Sequence, residues 1–266
     1  MSRRTSGYAS DLTDAQWDLI KTLLPMPHWG PGRPMHLDLR CVLNAMLYIV
    51  RSGCQWANLP NEYPHPNSVY YHYRKWCHDG TWEEINGVLC EQVRLAAGRE
   101  ASPSAAIIDS QSVKTTSVGG ACGYDAGKCI NGRKRHILVD TMGNLLKVVV
   151  HPANLSDAEG AKWLLTELPL HFWDCLVHLW ADGGYRGAFK EWVSGRLDIE
   201  LDITLRSDHK KGFVVIPTRW VVERTFAWFG HYRRLSKDYE YYPEHTEGMV
   251  YLASIHRFLR LLAPAT

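Results

Sequence analysis

From Ala105 onward, short apolar runs alternate with amphipathic stretches, and that alternation restricts the chain to a mixed sheet carrying helices. "AAIID" is a short apolar run closing on Asp109. "RHILVD" and "LLKVVVH" flank "TMGN", whose Gly143–Asn144 pair is turn chemistry, so the three together predict a hairpin. "LSDAEGAKWLLTELP" predicts a helix opened by a Ser156/Glu159 capping box. "LVHLWADGG" predicts a strand that ends at Asp182. A short helix to about Ser194, the strand "IELDITL", a helix over 219–237 and a last helix from Glu247 to Leu262 complete the order. The first hundred residues contain no such alternation. There Thr13 and Gln16 form a capping box before "DAQWDLI", and Leu39, Val42, Leu43, Met46, Leu47 and Val50 follow the 3.6-residue period up to Gly53. Two further helices are predicted, one capped by Asn67 or Ser68 and closing near Gly80, the other from Trp82 to Ala97. "AAGREASPSAA" reads as a linker. The expected division is a helical domain over 1–100 and an α/β domain with a mixed sheet over 101–266.

The composition narrows the function classes. At 266 residues with 45% hydrophobic and 22% charged residues, the chain can bury a core of ordinary size. No apolar run reaches the length of a bilayer span, and "MSRRTSGYASD" lacks the apolar stretch of a secretory signal. The seven cysteines are odd in number and include no CxxC pair, which fits reduced thiols. A soluble protein of the bacterial cytoplasm is expected. A net charge of +2 means that any nucleic-acid role must come from local basic patches. His36, His65 and His209 fall in expected loops and form no ligand pattern.

Two apolar runs end in Asp, at Asp109 and Asp182, where strand ends of a helix-flanked sheet open onto ligand crevices. Taken singly, such an Asp reads as a turn former or helix cap. Gly183 and Gly184 follow Asp182 and clear space beside it. A third acid stands out in "RWVVERTFAWFGHYRRLSK". On a helical wheel Val221, Val222, Thr225, Trp228, Phe229, Tyr232 and Leu235 share one side, whereas Arg219, Glu223, Gly230, Arg234 and Lys237 share a stripe on the other. Glu223 is then either an i,i+4 partner of Arg219 or a ligand set among phosphate contacts. Three converging carboxylates would repel one another without a cation, and oxygen donors alone select Mg²⁺ or Mn²⁺.

The blocks "IIDSQSVKTT", "GYDAGKCINGRKRHILVDTMG", "HPANLSD", "WADGGYRG" and "RWVVERTFAWFGHYRRLSKDYE" resemble, in order, those of bacterial insertion-sequence DDE transposases of the IS-five-like group. The resemblance covers residues 105–240, and the N-terminal helices are similar to that group's small leading domain. It implies an RNase H-like catalytic domain, preceded by a small all-α, helix-turn-helix-like domain that binds DNA ends or dimerises. It also implies that Asp109, Asp182 and Glu223 are the catalytic, metal-holding triad for two Mg²⁺ or Mn²⁺ ions. The implied reaction is phosphodiester cleavage at the element's ends, followed by attack of the freed 3′-OH on target DNA. The implied partners are double-stranded DNA and further copies of the chain, as a homodimer or higher oligomer, at the nucleoid.

The wider family signature places Arg four residues before the Glu, which Arg219 matches. Its flanking Tyr and Lys fall on Ile216 and Gly230, so Arg233, Arg234 and Lys237 become the expected phosphate contacts instead. "KCINGRKRH" adds Lys128, Arg133, Lys134 and Arg135 just before the hairpin; such a run is ordinarily a solvated loop, but beside a metal site these residues are expected to track DNA phosphates, with Lys114 and Arg186 as weaker candidates. In the helix near 68–78, Val69, Tyr73 and Trp76 have core spacing while Tyr71, His72, Arg74 and Lys75 face away. Such a helix suits either a major groove, through Arg74 and Lys75, or a dimer contact. Two other readings remain open: a different RNase H-like DNA nuclease, and a non-catalytic DNA-binding protein derived from a transposase.

Overall fold

The structure is a computed structural model that describes residues 7–25, 37–204 and 219–264. Its N-terminal part comprises α1 (Asp14–Ile20), α2 (Leu39–Ser52), α3 (Pro66–His78) and α4 (Thr81–Ala96). The local signals act as expected. Thr13 caps α1 in a reciprocal box with Gln16. Gly53 ends α2 in the left-handed region at φ 74°, a conformation a side chain would resist. The cap of α3 is His65, two or three residues before the expected Asn67 or Ser68, and its ring accepts from the Asn67 amide.

The α/β part runs β1 (Ala105–Lys114), β2 (Gly123–Asp125), β3 (Ile130–Asp140), β4 (Leu145–Pro152), α5 (Asp157–Thr166), α6 (Leu170–Trp173), β5 (His178–Asp182), α7 (Ala188–Arg196), β6 (Glu200–Thr204), α8 (Arg219–Phe229) and α9 (Pro243–Leu262). The sheet order is β4-β3-β1-β5-β6, with the short β2 also on β3. β3 is antiparallel to β1 and β4, whereas β1, β5 and β6 are parallel. The hairpin turn is held by Asp140, whose Oδ1 accepts from the Met142 and Asn144 amides, both at 2.8 Å. Arg94 reaches the same carboxylate from α4 at 2.5 Å, tying the helical part to the hairpin.

Three elements differ from the sequence expectation. β1 does not stop at Asp109, because Ser110–Lys114 continue its pairing with β3. β3 begins before the expected hairpin strand, at Ile130, and so takes the basic run into the sheet. α8 ends at Phe229, and Arg233–Leu235 form a separate 3₁₀ turn, so the stripe drawn through Gly230, Arg234 and Lys237 is not one helix face.

The division of the chain at residue 100 is not a division in packing. α9 lies against α1, α2, α3, α4 and β4, and the buried apolar residues form one continuous cluster from Leu12 to Leu259. The outer edge of β4 is covered by the same helix, since the Val150 amide donates to Glu247 and the Val148 amide to Tyr251. An edge strand is thereby closed to pairing with another chain. Among the described residues no helix is long and apolar enough to cross a membrane.

Candidate functional site

β1 and β5 pair in parallel through Ile107 and Trp180. Carrying that register two residues on sets Asp109 level with Asp182, on the same side of two adjacent strands. Both line a cavity of about 10 Å³, room for one water-sized sphere, with Ile107, Trp180, Thr204 and Val222 in its wall. One oxygen of each carboxylate is fixed by nearby backbone: Asp109 accepts from the Ser110 amide at 2.7 Å and Asp182 from the Gly184 amide at 2.8 Å. Both side chains are half-buried. Two carboxylates side by side in such a place favour a cation between them.

Glu223 follows Val222 on α8, and its side chain is exposed while Val221, Val222 and Thr225 are buried against the sheet. The helix is anchored by Thr225, whose hydroxyl donates to the Gly143 carbonyl at 2.9 Å. Arg224 stacks over Trp220 and Trp228 and donates to the Met142 carbonyl. Among the described residues no three His, Cys, Asp or Glu side chains are gathered closely enough to hold a metal ion. Asp109 and Asp182 are thus brought together, and Val222, the residue before Glu223, lines the same cavity. The oxygen-only donor set nonetheless fits Mg²⁺ or Mn²⁺ better than a metal that prefers nitrogen or sulfur.

A fourth carboxylate, which the sequence reading did not single out, stands behind the pair. Asp157, at the start of α5, accepts from the Ser110 hydroxyl at 2.9 Å and from Lys134 at 3.0 Å. Burial alone would raise its pKa, but the Lys134 hydrogen bond and charge, with Ser110, hold it below the usual carboxylate range. A Cβ built on Gly184 would lie 3.1 Å from Asp182 Oδ1 and 3.4 Å from Asp157 Oδ2, so the glycine lets both carboxylates close on one backbone. Tyr185 is buried at this junction. Its phenol is pushed well above the ordinary range, first by burial and then by the negative field of Asp109, Asp157 and Asp182. The signal for Asp157 was available in "HPANLSD", where it lies inside the recognised Ser156/Glu159 box.

Behind Asp157, the His136 and His151 rings stack with Nδ1 and Nε2 2.8 Å apart. Burial first, then the neighbouring His151, pushes His136 down to about 3. Gly160 is the only residue type α5 can place there, since a Cβ would come within 2.4–2.5 Å of both rings.

The expected DNA contacts separate into two groups. Arg133, Lys134 and Arg135 are buried in β3 rather than lying on an open run before the hairpin. Arg133 pairs with Asp238 at 3.1 Å, Lys134 with Asp157, and Arg135 donates to the Leu235 and Lys237 carbonyls. Arg234, expected on an open stripe, is buried and binds Glu240 through Nε and Nη2 at 2.9 and 2.6 Å. These four cations are committed to internal partners. Lys128 is exposed and donates to the Ser110 carbonyl at 3.2 Å, beside the acidic pair. Arg233, Lys237, Lys114 and Arg186 are exposed. Lys237 precedes Asp238, which bridges to Thr115, about 20 Å along β1 from Asp109. The Arg219 side chain, Ile216, His36 and His209 lie outside the described residues. On α3, Arg74 and Lys75 are exposed, whereas His72 is buried against Trp76 rather than facing outward.

Comparison with known proteins bears on this arrangement. Residues 100–257 match the family described as "Transposase DDE domain", and residues 12–86 match one described as "Putative transposase of IS4/5 family". The chain is similar to the "Insertion element IS402 uncharacterized 16.2 kDa protein" of Burkholderia cepacia, at 29% identity over 41% of this chain and 76% of that one. It is also similar to the "Putative transposase for insertion sequence element IS402" of the same organism, at 32% identity over 41% of this chain and 54% of the other. No solved structure matches significantly.

Proposed function

The chain belongs to the insertion-sequence transposases with a DDE domain, and from that premise we propose that it cuts DNA at the ends of its element and joins the freed 3′-OH to target DNA. The family carries an RNase H-like fold, with which the mixed sheet agrees. The observation that carries the proposal is that Asp109 and Asp182, on adjacent parallel strands, line one cavity.

In this reading Asp109 and Asp182 hold divalent ions from the sheet, and Glu223 completes the set from α8. Bound Mg²⁺ or Mn²⁺, as two ions, supplies the Lewis acidity that lowers the pKa of a water or 3′-hydroxyl and stabilises the leaving oxygen. Gly184 and the Ser110–Asp157–Lys134 group keep the two aspartates oriented. Lys128, exposed and bonded to the Ser110 carbonyl, would meet phosphates that flank the scissile bond.

Residues 1–100 would bind element ends or a second copy of the chain, and 101–266 would carry catalysis. The solvent face of α3, with Arg74 and Lys75, is the proposed duplex contact. Residues 53–65 separate α2 from α3, whereas only Asp79 and Gly80 separate α3 from α4. Double-stranded DNA and a homodimer or higher oligomer are the proposed partners, at the bacterial nucleoid.

The test uses the full chain with Mg²⁺ and a DNA carrying the element's ends. Asp109→Asn and Asp182→Asn should abolish cleavage while leaving duplex affinity within about two-fold of the wild type. Wild-type cutting rates in either variant would overturn the assignment. Joined donor–target products separate a transposase from a nuclease that only cuts.

A further inference from the structure

Away from the acidic pair, α3 and the first turn of α9 enclose a cleft of about 670 Å³. Tyr70, Tyr71, Arg74, Lys75, Tyr242 and His245 line it. Its size is that of a site for a small organic molecule or one or two nucleotides. The cleft is pre-formed, because the buried Tyr73 hydroxyl donates to the His245 carbonyl and so fixes the start of α9 to α3. Its rings meet edge to face: Tyr242 and His245 have centroids 5.2 Å apart at 73°, and Tyr70 and His245 6.1 Å apart at 90°.

Two features of this wall conflict with an idle surface. Tyr71 is 63% exposed and Tyr242 48%, and Tyr241 beside them is 50% exposed. Large rings are seldom left in water as a group without a partner to cover them. Next to them, Arg74 and Lys75 form no ion pair among the described residues, and Glu244 is the acid that shares the cleft. Unneutralised cations beside open aromatic faces suit a ligand that is both anionic and planar. Paired DNA satisfies only half of that description. Its phosphates are open, but each base face is covered by its neighbours in the stack. An unpaired nucleotide offers both the phosphate and the free π-face.

We propose that this cleft takes an unpaired nucleotide of the DNA substrate, with its base on the tyrosines and its phosphate at Arg74 and Lys75. The proposal rests on the reading of the chain as a DNA-acting transposase. It adds that the N-terminal contact senses strand opening as well as duplex. Such a site would hold a strand freed or frayed at the element's end while the acidic pair acts elsewhere on the molecule.

The experiment compares three labelled DNAs at one salt concentration with the full chain: an oligothymidylate of about ten nucleotides, a blunt duplex, and that duplex with a single-stranded tail. Tyr71→Ala and Tyr242→Ala should each weaken the oligothymidylate and tailed duplex about 5- to 100-fold while changing the blunt duplex less than about two-fold. Tyr71→Phe should retain binding, since the ring that stacks is kept. Arg74→Ala should weaken all three and flatten their salt dependence. Photo-crosslinking of a 5-iodouracil oligonucleotide should attach to a cleft tyrosine. Unchanged oligothymidylate affinity in both alanine variants, with wild type binding DNA, would overturn the cleft proposal and leave the transposase reading standing. Equal losses on all three DNAs would make the rings part of a duplex contact and overturn it too. A shift in oligomeric mass with unaltered DNA affinity would make the cleft an interface between copies. Wild type that binds none of the three would bring down the DNA-acting reading itself.

Discussion

Glu223 is exposed, yet it follows directly after Val222, a buried residue in the wall of the aspartate cavity. That placement makes its two readings separable by one substitution. If Glu223 serves only as a surface partner of a neighbouring cation, Glu223→Gln costs less than about 1 kcal/mol and leaves cleavage intact. As the third acid it should instead lower single-turnover cleavage by about 10²-fold or more, with the thermal midpoint unchanged and DNA affinity equal or higher. Of the residues at this site, Asp182 was the most legible, because an apolar run visibly stops there and two glycines follow. Asp109 was legible as an acid beside the core but not as a mid-strand residue. The pairing that continues β1 past it is with β3, and nothing in Ser110–Lys114 announces that partner. Asp157 and Tyr185 were missed because their significance is relational: each matters through carboxylates that lie far away in sequence.

β3 shows why an element can hide its nature. "INGRKRH" has the composition of a solvated loop, and three of its cations are nonetheless in the middle of a sheet. A basic side chain enters a core only with its partner, and these partners are Asp238, Asp157 and the carbonyls of 235 and 237. Sequence pattern reads spacing along one segment and cannot supply a counter-ion a hundred residues on. The capping boxes of α1 and α5 were fully legible, since all their parts lie within four residues. The burial of Arg133 gives a prediction at this scale. Removing it strands Asp238 inside, so Arg133→Ala should lower unfolding free energy by about 3–5 kcal/mol in chemical denaturation. The folded fraction should show the same salt slope of DNA binding as wild type, which a true phosphate contact would not.

For the molecule as a whole, the β–hairpin–α–β–α–β–α order was readable, and with it the mixed sheet. The packing of the N-terminal helices was not readable, because the partner that completes them is the last helix of the chain. That helix also carries groups that titrate far from their usual range. Burial first raises Glu247 to about 8, against an ordinary 4.5. Burial first, then Arg260 and Arg51, lowers His256 to about 4 from 6.5. The signs oppose. A raised carboxyl contributes stability that is present below about pH 4.5 and lost as pH climbs to about 8, whereas a lowered imidazole contributes stability that is lost as pH falls from 6.5 to about 4. Glu247→Gln copies the neutral carboxyl and can still accept from the Val150 amide. Its stability relative to wild type should therefore grow as pH rises from about 4.5 to about 8, measured by denaturation midpoints at several pH values. A difference that is flat or falls with pH would contradict the buried, neutral state of Glu247.

The position of α9 also sets a timetable. A ribosome delivers α1 through α4 first, but the surface they need arrives with residues 243–262. Vectorial synthesis usually lets an N-terminal part fold before the rest is made. Here the early helices must wait with their apolar faces open until translation is almost over, and contacts that distant in sequence close slowly. Any DNA-holding surface on α3 is finished at the same moment as the catalytic sheet's last cover. A messenger cut short within its final tenth would therefore yield a chain lacking the helix against which both the early helices and β4 pack.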